Sequence, residues 1–136
     1  MPQVSKRLTN QKIAKRLPEL LIETIIDCRN KDHTRKFLDD FLTPTEKIML
    51  GKRLAIAVLL LKDYDYATIS QLLKVSSATI GKMVNLLRFS DGGLRIMAEK
   101  QLGKENWKKL IFEAGRIFLK LNRPFRYVPE WRENDL

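Results

Sequence analysis

Apolar residues recur every three or four positions along most of this chain and nowhere alternate strictly with polar ones, so the pattern predicts helices and no strands. Pro18 suits the first position of a helix, and Leu20, Leu21, Ile25 and Ile26 behind it form a stripe that ends near Asn30. A shorter helix is expected from Asp32 to Leu42, with Phe37, Leu38, Phe41 and Leu42 facing inward. The stretch LTPTEK, residues 42–47, is a start signal: Thr43 can cap, Pro44 fills the first turn, and Glu46 stands where a capping box needs it. The helix it opens should run to about Lys62. Its second half is apolar nearly all the way round, which a single chain of this size buries with difficulty, so a partner chain is expected to cover it.

After the loop KDYDY, two short helical patterns, Tyr66–Leu73 and Ser77–Phe89, are separated by KVS, which reads as helix, tight turn, helix. SDGG at 90–93 breaks the pattern. Leu94–Leu102 and Asn106–Leu121 then read as helices, the latter with Trp107, Leu110, Ile111, Ala114, Ile117, Phe118 and Leu121 at helical spacing. The last residues, with Pro124 and Pro129 among aromatics, read as an irregular tail. The expected fold class is all-α. It is organised as a basic arm over 1–17, a helical domain over 18–102, and an added helix and tail over 103–136.

Length and charge narrow the picture. The 136 residues fit one domain with one core, and 26 Lys and Arg against 16 Asp and Glu give a formal charge of +10, which favours a polyanion as partner. The arm holds Lys6, Arg7, Lys12, Lys15 and Arg16 and no acid, and no Asp or Glu stands between Asp65 and Asp91. Cys28 and His33 are each single, so those residue types supply neither an internal disulfide nor a four-ligand zinc site, and a reducing cytoplasm is expected. The most apolar run, LAIAVLLL at 54–61, is far shorter than the roughly 20 residues a spanning helix needs, and no secretion signal is apparent. The neighbouring acids Asp39 with Asp40 and Asp63 with Asp65 accompany no His, Cys or metal cluster, so they read as solvated helix ends. No catalytic residue, metal or cofactor is expected.

The pair of short helices has the needs of a helix-turn-helix, which packs its two helices through apolar residues inside each and one in the turn. Ile69, Leu73, Val75, Ile80 and either Met83 or Val84 supply them. Ser76 or Ser77 can cap the second helix, which leaves Ser77, Ala78, Gly81, Lys82 and Asn85 on its outward face. Serine and threonine bond several bases, asparagine pairs with adenine, alanine touches a thymine methyl, and lysine holds guanine or phosphate. Ser76, Ser77, Ala78, Thr79, Lys82 and Asn85 are therefore the expected groove contacts, with Thr68, Lys74 and Arg88 as phosphate contacts. Lys74 occupies the turn position that commonly holds glycine, where a left-handed backbone costs other residues roughly 1–2 kcal/mol. A helical hairpin with no DNA role has the same spacings.

Residues 37–89, FLDDFLTPTEKIMLGKRLAIAVLLLKDYDYATISQLLKVSSATIGKMVNLLRF, resemble the Trp repressor superfamily, in particular its YerC/YecD-like branch. The distinctive parts are LTPTE, LGKRLAIAVLLL, YATI and SSATIGKMVN. The resemblance implies an intertwined all-α homodimer that binds double-stranded DNA with one reading helix per subunit, and it would account for the apolar helix. Thr43 and Arg53 match positions that hold the corepressor in that family, with Lys82 where an arginine stands, so these three mark an effector pocket. Lysine does not stack on an indole as arginine does, and Met83 stands for a glycine and Leu86 for a serine, which argues against tryptophan as effector. Arg53 also reads as one half of a surface or interface salt bridge.

The combined expectation is a cytoplasmic, non-enzymatic, homodimeric repressor of transcription with no membrane association. A protein partner at the C-terminal tail is a further expectation. The rival is an RNA-associated or assembly module, because Trp107, Phe125, Arg126, Tyr127 and Trp131 interleave aromatics with arginine as base-stacking surfaces do.

Overall fold

The computed structural model describes residues 10–122, and every regular element among them is an α-helix. In order these are α1 (Gln11–Ile26), α2 (Lys31–Phe41), α3 (Pro44–Leu61), α4 (Tyr66–Leu73), α5 (Ser77–Phe89), α6 (Gly93–Gln101) and α7 (Glu105–Leu121). Lys6 and Arg7 of the basic arm lie outside the described residues, as do Phe125, Arg126, Tyr127 and Trp131 of the tail. The chain divides inside α3 into two compact units, one ending at Lys47 and one beginning at Ile48.

In the first unit, side chains define the helix starts. The Asn10 side chain accepts from the Ile13 N–H at 2.9 Å, and the Asn30 side chain accepts from the His33 N–H at 2.9 Å. The cap at Asn10 corrects the expected start at Pro18: the proline lies inside α1, and Lys12, Lys15 and Arg16 of the supposed arm are helical. A proline satisfies helical φ anywhere in a helix and gives up one hydrogen bond in the interior, so its presence alone does not mark a beginning. The capping box at α3 forms as read, with the Thr43 N–H donating to Glu46 Oε2 at 2.9 Å and the Glu46 N–H donating to Thr43 Oγ1 at 3.1 Å. Phe37 and Phe41 stack at 5.0 Å, although Phe41 stays exposed instead of facing inward.

Neither α1 nor α2 has a buried residue. Ile13, Leu17, Leu20, Leu21, Ile22, Ile25 and Ile26 of α1 are each 40% to 72% exposed. This unit has helices and caps but no apolar interior.

The second unit holds the core. Ala55, Ile56, Ala57, Val58 and Leu59 of α3 are all buried, together with Tyr64, Ile69, Ile80, Met83, Leu87, Ala98, Ile111 and Ala114. This corrects the expectation that a second chain must cover that half of α3: one chain does so, because α4–α7 bring apolar side chains around it. The start of α3 is where apolar side chains remain exposed, at Ile48, Met49 and Leu50. The added helix α7 belongs to this core. It packs on α4 and buries Ile111, Ala114 and Gly115, and the Tyr64 hydroxyl donates to the Ile111 carbonyl at 3.4 Å while its ring meets Phe118 edge-on.

Candidate nucleic-acid interface

Helix α4 begins at a side-chain cap, with Asp65 Oδ1 accepting from the Thr68 N–H at 3.1 Å. It ends at Lys74, whose φ of 55° and ψ of 53° are left-handed, as the turn requires in the absence of glycine. Two bonds hold that backbone. The Lys74 N–H donates to the Ser70 carbonyl at 2.9 Å, and the Ser70 hydroxyl donates across the turn to the Val75 carbonyl at 2.7 Å. Sequence reasoning missed Ser70; its only signal was a hydroxyl one helical turn before a tight turn.

Ser76, not Ser77, caps α5: its Oγ accepts from the Thr79 N–H at 3.2 Å and lies 3.0 Å from the Thr79 hydroxyl. The N–H groups of Ser77 and Ala78 belong to the first turn, where no helical acceptor exists, so they are available to a phosphate or base edge. Along α5, Ile80, Met83 and Leu87 are buried while Ser77, Ala78, Lys82, Asn85 and Arg88 are exposed. Met83 therefore takes the inner position, and Val84 is only partly buried against the core.

The remaining expected contacts separate. Thr79 is half-buried with its hydroxyl turned to the cap. Thr68 is fully buried and its hydroxyl has no partner, so its expected phosphate contact is withdrawn: a phosphate cannot reach an oxygen enclosed between helices. Lys74 is exposed in the turn, and Arg88 is exposed in the last turn of α5. Gly81 lies on the same helix, and a Cβ added there would meet nothing within 4 Å.

This geometry agrees with an independent comparison. A family model described as Trp repressor protein matches residues 16–102, which takes in most of α1 and all of α2 to α6. The chain belongs to the Trp repressor family. Members are helix-turn-helix DNA-binding regulators, and the family is not enzymatic. No curated protein and no solved structure matches the chain. Helix α7 follows the matched residues, so its packing on α4 is an addition to the part that carries the Trp repressor match.

A cleft of about 430 Å³ lies beside Arg53 and is lined also by Leu50, Leu54, Met83, Leu86 and Leu94. Of the three residues expected to form an effector pocket in this Trp repressor family member, only Arg53 lines it. Met83 rather than Lys82 faces it from α5, and the Thr43 hydroxyl is engaged in the capping box. The departures noted at Met83 and Leu86 thus fall on the cleft wall, which Arg53, Ser90 and Asp91 also border. Among the described residues no group of His, Cys, Asp and Glu is arranged to hold a metal ion, and no helix is long and apolar enough to cross a membrane.

Proposed function

We propose that this Trp repressor family protein is a cytoplasmic homodimer that reads a specific duplex sequence through α5 and represses transcription by occupying it. The observation that carries the reading is the outer face of α5: a capped, exposed helix start followed by Ala78, Lys82 and Asn85 in a stretch without acids. The first turn offers backbone donors, and the side chains are those that bond base edges. Lys74 and Arg88 are the proposed phosphate contacts, and Lys12, Lys15 and Arg16 add affinity independent of sequence.

The apolar residues of α1 support the dimer. A helix with this many large exposed apolar side chains needs a partner surface, and a second copy supplies one with two-fold symmetry. Selection from a randomised duplex pool at near-physiological salt tests the reading, because salt suppresses the general affinity of so basic a chain. The expected result is a two-fold motif with half-sites about one helical turn apart. Lys82→Ala with Asn85→Ala should lose sequence preference, at about 1–3 kcal/mol for each base contact removed. Unchanged preference in the double variant would place the reading surface elsewhere.

A further inference from the structure

Exposed residues of α5 fall into one line. Ala78, Lys82, Asn85 and Phe89 recur at intervals of four, three and four, the spacing of a single helix face, opposite the buried Ile80, Met83 and Leu87. The first three are the groove contacts proposed above. Phe89, the last residue of α5, is 80% exposed, more than any other large apolar side chain among the described residues. It takes no part in the core, which α5 joins through its opposite face.

The surroundings of the ring say what would bury it. Lys82, Asn85 and Arg88 are exposed along the same stretch of helix. Lysine is depleted at contacts between subunits, and two copies meeting through this face would bring like charges together. The same cations attract phosphates. The nearest acid in the sequence, Asp91, lies past the end of α5 and borders the cleft beside Arg53.

Phenylalanine has no donor or acceptor in its side chain, so any feature it reads must be apolar. In the major groove that feature is the thymine methyl. From Ala78 to Phe89 the line extends for roughly 16 Å at 1.5 Å per residue, the length of about five base-pair steps. We propose that Phe89 is a further specificity-determining residue: its ring packs on a thymine methyl in each half-site, so α5 lies along the groove and reads with its whole length rather than its first turn alone. This rests on the DNA-binding reading of α5 above, and it adds an apolar contact to a set that is otherwise polar apart from Ala78.

The test is selection from a randomised duplex pool with the unaltered full-length protein and with Phe89→Ala. Each thymine of the selected duplex is then replaced, one at a time, by uracil, which lacks only the methyl group. For the unaltered protein, replacement at one position in each half-site should raise the Kd about threefold to fourfold, as expected for one buried methyl. Phe89→Ala should lose the thymine enrichment there and become indifferent to uracil at that position, with the rest of the motif intact. Phe89→Leu, still apolar, should keep part of the preference. Both variants should retain the thermal midpoint and the mass of the unaltered protein in light scattering, because the ring packs on nothing in the free protein. An identical motif and an identical response to uracil in Phe89→Ala would overturn the assignment and leave the DNA reading standing. A lowered midpoint or a loss of dimer mass in Phe89→Ala would overturn it as well, by placing the ring between subunits. No enriched motif with the unaltered protein would overturn the DNA reading, and this inference with it.

Discussion

Gly81 interrupts a helix in which alanine would be more stable by about 1 kcal/mol, yet the space around its missing Cβ is open. Packing within the chain gives no reason for it; the DNA interface proposed for α5 would supply one, through close approach of a backbone or base. Gly81→Ala should raise the thermal midpoint by about 5 °C and weaken binding to the selected duplex severalfold, measured by melting and by titration of labelled DNA. Tighter binding by the more stable variant would place Gly81 outside the interface. Thr68 presents the opposite case, a buried hydroxyl with no partner. Thr68→Val removes an oxygen that burial has separated from water, so stability should rise by about 1 kcal/mol in denaturant unfolding. Thr68 stands near the start of α4, where a phosphate contact is expected, but its burial depends on residues far along the chain.

At the scale of the element, helix starts were legible where a cap stands next to its helix. The capping box of Thr43 and Glu46 and the Ser76 cap involve partners three residues apart, so local sequence contains the whole interaction. Ser76→Ala should cost about 1 kcal/mol and speed hydrogen exchange most at the first amides of α5. Uniform exchange across the domain would mean that the cap contributes no more there than elsewhere. The start of α1 was misplaced because Pro18 is compatible with a helix beginning at it or running through it, and the decisive residue, Asn10, stands before a polar stretch. The turn was legible as well. Lys74 adopts the left-handed conformation its position demands, and the Ser70 bond that helps to hold it could be found only with the helices in place.

At the scale of the molecule, apolar surface is unevenly satisfied. The second half of α3 is enclosed by its own chain, while the stripe of α1 is not. If a second copy covers α1, Leu20→Glu with Ile25→Glu should convert a dimer into a monomer in light scattering and lower stability by several kcal/mol, because each buried leucine or isoleucine contributes roughly 1.5–3 kcal/mol. The thermal midpoint of the unaltered protein should rise with protein concentration, since association draws the equilibrium toward the folded dimer. A midpoint independent of concentration, with light scattering giving the mass of one chain, would refute the dimer.

The sequence by itself determined the helical class, six of the seven helices among the described residues to within a residue or two, the cap of α5 and the acid-free outer face of that helix. Those features arise from spacing, caps and charge, which act over a few residues. Only the tertiary structure decided which apolar stripe is enclosed and which is left bare, that Thr68 is unreachable, that α7 braces α4, and that Arg88 and Arg95 share a cleft. Each of these depends on side chains brought together from distant parts of the chain, and periodicity does not say which helix a given face will meet.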